Sequence, residues 1–597
     1  MYFSRVNKII SYALSILLLI ALVSTGTVAS ADNTAASAAQ SSAPPSGSAP
    51  SGNAPSGGAP SGGSPSGGAN TTTYDYNGTL TGALSADGQS VTSKQETYTA
   101  SDTDQNAALV QNAGTLTISG DQLNKSGDDT NGDNCNFYGL NSILLAVNSG
   151  STAYISDSTL NADSEGSNGI FATDNATVYA NNDTISTTSD NSRGLDVTYG
   201  GTIIANLMNI ITTGNHCASI ASDRGGGSVS VANSTLSTAG SGSPLIYSTG
   251  DIQVDNVTGT AANSQIAGME GLNTILINNS TLTSTMTKAT ASDPMADGII
   301  IYQSTSGDAE ATTGESATFQ AVNSTLKSAI TSGTMFYFTN TTANVVLSNT
   351  VLDFDSSNAN LLTVQGNDSN SWGTAGQNGA SVTFTGLDET LNGNIDVDTI
   401  SSLDLYLLDG TTYTGATSIS TNSVNTDVSS APITINLDGT SKWVVTANST
   451  VTNLNAESGS SIVDADGNTV SIIVDGSTVV DGTSNYTVTV LGSYSTSVTT
   501  GSSNELSTSY IDRTAFDEYY AVETSFGTSD TNTVSETAAT ATTEAVTPAE
   551  ETESAATELQ NETEKNHTAL YVAIIAVVIL GAALSIKCIR KKKKNKK

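Results

Sequence analysis

The sequence predicts an all-β protein, a right-handed parallel β-helix solenoid, and three observations support this prediction. A pattern of eight residues, apolar-x-apolar-x-Asn-Ser-Thr-Leu with substitutions, occurs eight times between Ala153 and Leu352. Consecutive copies are 25, 25, 26, 23, 23, 44 and 26 residues apart. Apolar residues alternate within each copy, which is typical of a strand with one buried face. A strand that recurs at this spacing, without helical stretches between copies, predicts stacked coils whose crossovers prefer the right hand.

Aligning the copies defines three columns of residues. The first column is wholly apolar and contains Ala153, Val178, Ile203, Val229, Ile252, Ile275, Phe319 and Val345. The second, two residues later, is also apolar and contains Ile155, Ala180, Ala205, Val231, Val254, Ile277, Ala321 and Leu347. The column between them is mixed and contains Tyr154, Tyr179, Ile204, Ser230, Gln253, Leu276, Gln320 and Val346. The two apolar columns are therefore expected to line the core.

The N-terminal end predicts export. Arg5 and Lys8 precede an apolar run and a small-residue cleavage site, so residues 1–31 are predicted to be a secretory signal peptide. Residues 32–70 are rich in Pro, Ser and Gly, which predicts a disordered linker.

The solenoid itself is predicted in three parts. Residues 71–138 are expected to form an N-terminal cap and the first irregular coils, and residues 139–382 the regular coils. Residues 383–500 keep β alternation with Asp-Gly turns and are expected to form the last coils. The 44-residue spacing contains a polar stretch at 304–316, which predicts an insertion in one coil, with a degenerate extra coil as the alternative.

The C-terminal end predicts a membrane anchor. Residues 501–567 are expected to form a stalk rich in Thr, Glu and Ala. Residues 568–586 are uncharged and long enough for a single transmembrane helix, and the polybasic tail at 587–597 predicts a cytoplasmic C-terminus with an extracellular ectodomain. A removed lipid-anchor signal is the alternative.

Charge narrows the range of partners. Ten of the 19 cationic residues lie at the two ends, so the region between carries nine cations against 56 acidic residues, a net charge of −47. Such a surface repels nucleic acid and keeps the protein soluble. Cys135 and Cys217 lie about three coils apart, too far for a disulfide unless the N-terminal cap folds back.

Two repeated polar columns have competing explanations. Asn182, Asn233 and four further asparagines precede the Ser-Thr pairs; a ladder of stacked amides explains their period, and N-x-S/T glycosylation is the alternative. A threonine column, from Thr159 to Thr325, is expected to point outward as a hydroxyl ladder. A polymer, a sugar or ice could bind such a flat surface.

A candidate ligand-binding edge is predicted where polar and aromatic residues of successive coils converge. Its members are Tyr199, Asp223, Arg224, Glu270, Tyr302 and Gln303. The alternative is that they are turn residues that satisfy local backbone groups.

An enzyme is the rival expectation, because parallel β-helices also carry polysaccharide lyases and hydrolases. A lyase requires a base beside a cation, and a hydrolase requires a pair of carboxylates, so the rival predicts carboxylates grouped with Arg224 or His216. Residues 129–133 begin like a calcium loop, but Leu140 stands where the closing glutamate should be. We therefore expect no catalytic residue, no metal and no cofactor.

Residues 136–141 (NFYGLN), 223–227 (DRGGG) and 243–249 (SPLIYST), together with the Asn-Ser-Thr-Leu repeats, resemble adhesin-like right-handed parallel β-helix surface proteins of Gram-positive gut bacteria. The resemblance covers about residues 71–500, and to pectin-lyase-like proteins it extends only to architecture. It implies a membrane-anchored rod that binds host or polymer glycans or matrix proteins. A lyase or hydrolase and a structural coat without a specific ligand are the alternatives. The Leu-Pro-x-Thr-Gly motif of wall attachment is absent from the sequence.

Overall fold

A computed structural model describes residues 73–304, 309, 316–368, 372–429, 431–524 and 526, and most regular structure there is β-strand. Each turn of the regular coils contributes one strand to each of three parallel sheets, here named A, B and C. Each strand pairs in parallel with its counterpart in the next turn. The described chain is therefore a parallel β-helix, as the sequence predicts.

The strands of the described residues follow in the order in which they pair. Sheet A contains Gly82–Asp87, Asn106–Gln111, Leu144–Val147, Ile170–Thr173, Leu195–Val197, Ile220–Ser222, Ile246–Ser248, Ala267–Glu270, Asp297–Tyr302, Thr334–Thr339, Asn360–Val364, Ile395–Asp398 and Thr417–Ser420. Sheet B contains Ser90–Lys94, Thr115–Ser119, Thr152–Ser156, Thr177–Asn181, Gly201–Asn206, Gly227–Ala232, Asp251–Asp255, Thr274–Asn278, Ala317–Val322, Thr342–Ser348, Ser381–Leu387, Ser402–Leu408, Ile433–Leu437, Asn453–Ala456 and Tyr494–Ser495. Sheet C contains Thr97–Ala100, Gln122–Lys125, Thr159–Ala162, Thr184–Thr187, Asn209–Thr212, Thr235–Thr238, Thr258–Ala261, Thr281–Ser284, Thr325–Ser328 and Val351–Asp353.

Two smaller sheets and three short helices complete these elements. A fourth sheet contains Thr390–Asn392, Thr412–Gly415, Lys442–Val445 and Ser461–Val463, and a fifth contains Ser449–Val451, Thr487–Val490, Ser471–Val474 and Ser477–Val480. The helices are α1 (Gly132–Tyr138), a 3-10 turn (Ser502–Asn504) and α2 (Thr514–Tyr520).

The core consists of the two apolar columns that the sequence predicts. All sixteen of their residues are fully buried, and register pairing stacks each residue on its counterpart in the next coil. Because identical positions stack at ~4.8 Å, each coil shields the apolar side chains of its neighbours, and the core extends along the whole solenoid.

The turn from sheet B to sheet C explains the asparagine column. Asn233 and Asn256 have φ angles of 50° and 53°, a left-handed conformation that asparagine tolerates better than most residues. The Asn233 amide donates to Asn206 Oδ1 at 2.8 Å, and the Asn256 amide donates to Asn233 Oδ1 at 2.7 Å. The predicted ladder of side-chain amides from coil to coil is confirmed.

A second, buried ladder stands beside it and was not predicted. Ser234 Oγ accepts the backbone N–H of Met208 at 2.9 Å, and Ser280 Oγ accepts that of Val257 at 3.0 Å. The same hydroxyls donate to carbonyl oxygens two residues earlier in their own coil. The repeated serine therefore satisfies turn N–H groups that burial would otherwise leave without a partner.

A third ladder, at the turn from sheet C to sheet A, includes a thiol. The N–H of Ser167 donates to Ser192 Oγ, that of Ser192 to Cys217 Sγ at 3.0 Å, and that of Cys217 to Ser243 Oγ. Cys135 and Cys217 are both buried free cysteines, which confirms the prediction that they are unpaired.

The 44-residue spacing is one enlarged coil. Thr281–Ser284 pairs directly with Thr325–Ser328, so the alternative of a degenerate extra coil is wrong. The additional residues are divided between two connections, one before Asp297 and one after Tyr302. Residues 305–308 and 310–315 of the predicted insertion lie outside the described residues.

Residues 502–524, here named the strap, run back along the outer face of sheet B. Gln320 accepts the backbone N–H of Ser507 at 2.7 Å. Gln253 accepts the N–H of Ile511 at 2.9 Å and donates to the carbonyl of Ser509 at 3.1 Å. These two glutamine side chains therefore bind the strap backbone in place of another strand.

An arginine and a tyrosine side chain hold the far end of the strap. The Arg513 guanidinium donates to the carbonyl oxygens of Ser230 and Ala205, both at 2.9 Å. The Tyr520 hydroxyl lies 2.9 Å from the carbonyl oxygens of Ile155 and Tyr179. At the other end, the Asn504 amide donates to Thr385 Oγ1 at 3.0 Å, so the strap contacts coils from Ile155 to Thr385, 230 residues apart in sequence.

The strap corrects one expectation. The mixed column was expected to lie on an open face, yet Ile204, Gln253, Leu276, Gln320 and Val346 are all buried. Both faces of sheet B are therefore covered over these coils. The predicted signal peptide, linker, membrane span and tail lie outside the described residues, as does most of the predicted stalk at 501–567.

Candidate functional site

The candidate residues lie along one edge of sheet A, where its strands turn toward sheet B. Register pairs Glu270 with Tyr302, and Asp223 directly follows the strand Ile220–Ser222 two coils earlier. Tyr199 and Arg224 are joined by a backbone hydrogen bond at the same turn. The structure thus brings the predicted residues to one edge, where they form two groups.

The first group is organised by a buried arginine that the sequence analysis did not select. Arg193 lies 3.2 Å from the carboxylate of Asp196 and 3.0 Å from that of Asp223. It also donates to Asn136 Oδ1 of α1 at 3.0 Å. Burial raises the pKa of Asp196, and the Arg193 charge opposes that rise. Asp223 therefore takes part in a structural network that holds α1 against sheet A.

Tyr199 and Arg224 both contact α1. Tyr199 stacks on Tyr138 with ring centroids 5.8 Å apart and meets the edge of Tyr74 at the same distance. The Arg224 guanidinium lies 3.8 Å from the centroid of the Phe137 ring, in a cation–π contact. Tyr199 is 6 % exposed, so its position is that of a packing residue.

The second group, here named the Glu270 cluster, consists of Tyr247, Glu270, Tyr302, Ser304 and Trp372. The Tyr247 hydroxyl donates to Glu270 Oε2 at 2.8 Å, and the Ser304 hydroxyl donates to Oε1. The rings of Tyr302 and Trp372 lie 4.2 Å apart. A carboxylate is thus held by two hydroxyls beside an aromatic pair.

Gln303 stabilises the loop that follows. The backbone carbonyl oxygen of Gln303 accepts a hydrogen bond from the Asn340 side-chain amide at 2.7 Å. The Gln303 side-chain amide donates to the backbone carbonyl of Ser304 at 3.2 Å. Gln303 therefore fixes the backbone that brings Ser304 to Glu270.

Tyr247 is one of three half-buried residues of the cluster, together with Tyr302 and Ser304. The register neighbours of Tyr247 on the outer face are Ala221 and Gly268, so small groups flank its ring. Burial, followed by the Glu270 charge, raises the pKa of Tyr247 and that of Tyr302. Both hydroxyls therefore remain protonated at neutral pH and can donate or accept hydrogen bonds.

A pair of aspartates lies at the opposite edge of sheet A. Asp297 is fully buried, and among the described residues neither of its carboxylate oxygens has a hydrogen-bond donor. Asp293 Oδ2 is also buried without such a donor in the described chain. Burial raises the pKa of Asp293 to about 7 and raises that of Asp297 further above its usual range, with the Asp293 charge adding to the rise.

Among the described residues, His216 lies apart from the Asp223 carboxylate. His216 precedes the strand Ile220–Ser222 and Asp223 follows it, so the two lie at opposite edges of sheet A. Residues 129–133 lead into α1, which Asn131 caps, so they do not form a calcium loop. In the described part of the chain, no three His, Cys, Asp or Glu side chains are grouped to hold a metal ion.

Tyr247, Trp372, Arg193 and the aspartate pair were not predicted as site residues. Tyr247 stood within a strand-like stretch, and only the register of neighbouring coils brings it to Glu270. Trp372 stood between regular coils and joins the cluster through the Tyr302 ring. Arg193 offered one signal, because it is one of four cationic residues between positions 139 and 382.

The chain matches no protein-family model, and no curated protein shows significant sequence similarity to it. Within the described ranges, no helix has both the length and the apolar character needed to cross a bilayer. The predicted membrane span at 568–586 lies outside those ranges.

Proposed function

We propose that the protein is an adhesin-like binding protein of the cell surface, a right-handed β-helix that recognises glycans through the Glu270 cluster. It is exported by its N-terminal signal and held by a single C-terminal membrane span. The observation that carries the proposal is the half-buried Tyr247 ring, whose hydroxyl is fixed by Glu270 between two small neighbours. Aromatic rings beside fixed polar groups are common in ligand sites because they combine apolar contact with directional hydrogen bonds.

The surroundings support binding more than catalysis. Two hydroxyls hold Glu270 in place, and the Asp223 carboxylate is engaged by Arg193. A general base requires a carboxylate or imidazole within reach of the substrate proton. Glu270 is buried, so its hydrogen-bonded carboxylate is better suited to fixing the Tyr247 hydroxyl.

The test is binding of the purified full-length chain to an array of glycans and matrix proteins. We expect retention on glycans and at least a tenfold loss of affinity in Tyr247→Ala, because the ring supplies most of the apolar contact. Tyr486→Ala, which removes an exposed tyrosine of the last coils, is the matched control and should bind like the parent. Retention on matrix proteins alone would contradict glycan recognition, and product release from a polysaccharide panel would favour an enzyme.

A further inference from the structure

The connection that enters the enlarged coil leads to Asp297, which begins a strand of sheet A and pairs in register with Thr334. Residues 291–295 of this connection, here named the flap, include Asp293 and Met295. Met295 packs against the cluster that Ile300, Tyr337 and Trp372 form on the outer face of sheet A. Trp372 in turn lies against Tyr302 of the Glu270 cluster. The flap therefore covers apolar surface and is linked to the candidate site by side-chain packing.

The flap has a fixed start and a strained hinge. Thr290 Oγ1 accepts the N–H of Gly242 at 2.9 Å and donates to the carbonyl of Asn263 at 2.8 Å. The next residue, Ala291, has a φ of 43°, a left-handed conformation that costs an alanine about 1–2 kcal/mol. The chain is therefore secured up to Thr290, and release at Ala291 would relieve strain.

We propose that the flap is a proton-controlled cover, closed on sheet A while Asp293 and Asp297 retain a proton and released when both are ionised. Three of their four carboxylate oxygens are buried without a hydrogen-bond donor in the described chain. A shared proton leaves one buried charge, whereas loss of that proton leaves two charges that repel each other. Lifting the flap returns both carboxylates to water.

The other ionisable groups near the pair do not offset its charge. Tyr337 of the next coil and Tyr302 are neutral at neutral pH, because burial raises the pKa of both. The remaining charged group of the connection is Lys288, which is exposed and precedes Thr290. Among the described residues, the charge of the aspartate pair is therefore neutralised by protonation of the two carboxylates themselves.

The sign of the pH dependence follows from these shifts. A carboxyl group whose pKa is raised in the closed form stabilises that form while the group is protonated. This contribution is complete below the ordinary carboxyl pKa near 4 and is lost as pH rises through the raised pKa. Ionisation of Asp293, with a pKa of about 7, leaves one charge on the pair. The flap should therefore open as pH rises further and Asp297, whose pKa lies well above its usual range, also ionises. Acidic conditions should keep it closed.

Trp372 fluorescence in the full-length chain tests the proposal, with Trp443→Phe removing the second tryptophan. We expect the emission to shift to longer wavelength with a midpoint above pH 7, because opening hydrates the ring. Asp293→Asn combined with Asp297→Asn should abolish the shift, since neutral amides cannot ionise. Asp163→Asn, at an exposed position, is the control and should retain it.

Three outcomes would overturn the proposal. The first is an emission that stays constant from pH 5 to pH 9, although denaturant shifts it. The second is a pH shift that persists in the double variant. The third is recovery of the closed emission at pH 8 on addition of calcium chloride, which would assign the site to a cation. Hydrogen exchange of the flap amides, corrected for intrinsic rates, should follow the same pH profile if the double variant does not fold.

Discussion

At the residue scale, the turns of this β-helix are held by side chains that replace backbone partners. Serine hydroxyls, one thiol and asparagine amides each bridge consecutive coils. Parallel coils need such bridges, because a turn that leaves the sheet loses the regular ladder partners of its N–H groups. The repeated Asn-Ser pair is therefore explained by its turns, because asparagine adopts their left-handed geometry and both side chains supply their hydrogen bonds.

Replacing Cys217 with serine should reduce stability less than replacing it with alanine. Its thiol accepts the N–H of Ser192 in a ladder otherwise made of serines. Cys217→Ser should keep unfolding free energy within about 1 kcal/mol of the parent, whereas Cys217→Ala leaves a buried N–H unpaired and should cost about 1–3 kcal/mol. Urea unfolding of both variants measures the difference. Equal losses in the two variants would refute the ladder role.

Asn233 should contribute to stability in two ways, and two substitutions can separate them. Asn233→Gly keeps the left-handed turn but removes the amide ladder, while Asn233→Ala removes the ladder and also strains the backbone. We expect alanine to be less stable than glycine by about 1 kcal/mol. Thermal unfolding of the pair measures this gap. If alanine matched glycine, the left-handed turn would not be the reason for asparagine.

At the element scale, the strap shows how distant segments complete a sheet face. Its main anchor is Arg513, whose guanidinium is buried between the rings of Phe516 and Phe526 and donates to carbonyl oxygens of sheet B. Burial lowers the pKa of Arg513 to about 10, with Asp517 and Asp255 opposing the shift. The arginine therefore keeps its charge at neutral pH while it binds neutral acceptors.

Arg513→Met should release the far end of the strap. Methionine fills similar space but removes the donors to Ser230 and Ala205, so hydrogen exchange of residues 507–524 should accelerate by about tenfold or more. Glu518→Gln, an exposed change within α2, is the control and should leave exchange unchanged. Unaltered protection in the methionine variant would show that aromatic packing holds the strap by itself.

The strap also shows which features could be predicted from sequence. Val178 and Ala180 were predictable as core residues because strand alternation and the coil period are local signals. The burial of Gln253 was not, because its partner Ile511 lies 258 residues away and the strap itself has no repeat. The mixed column offered a weak signal, since it contains Ile204, Leu276 and Val346 as well as polar residues. At the candidate site, Glu270 was predicted correctly as a turn-edge residue, but its Tyr247 partner required the register of neighbouring coils.

At the scale of the whole molecule, a solenoid is held together mainly by contacts between neighbouring coils, so distant parts tend to unfold independently. The strap changes this, because it links coils that contain Thr385, Gln320, Gln253 and Ser230 to one continuous segment. Local loosening of any of these coils would weaken contacts of the strap with all the others.

Deleting residues 502–526 should therefore reduce cooperativity as well as stability. We expect the single unfolding transition of the parent to broaden or divide into two, with the first at lower denaturant concentration. Circular dichroism and the fluorescence of Trp372 and Trp443 should then report different midpoints. A deletion variant that unfolds in one equally sharp transition would contradict this role.

The course of the strap also determines where the chain leaves the solenoid. Phe526, the last described residue, lies against Tyr510 and Arg513 at the flank of sheet B, many coils away from the terminal strand Tyr494–Ser495. A force applied to the chain beyond Phe526 would therefore reach the solenoid through the flank of sheet B and the Arg513 contacts, and not through its last coil.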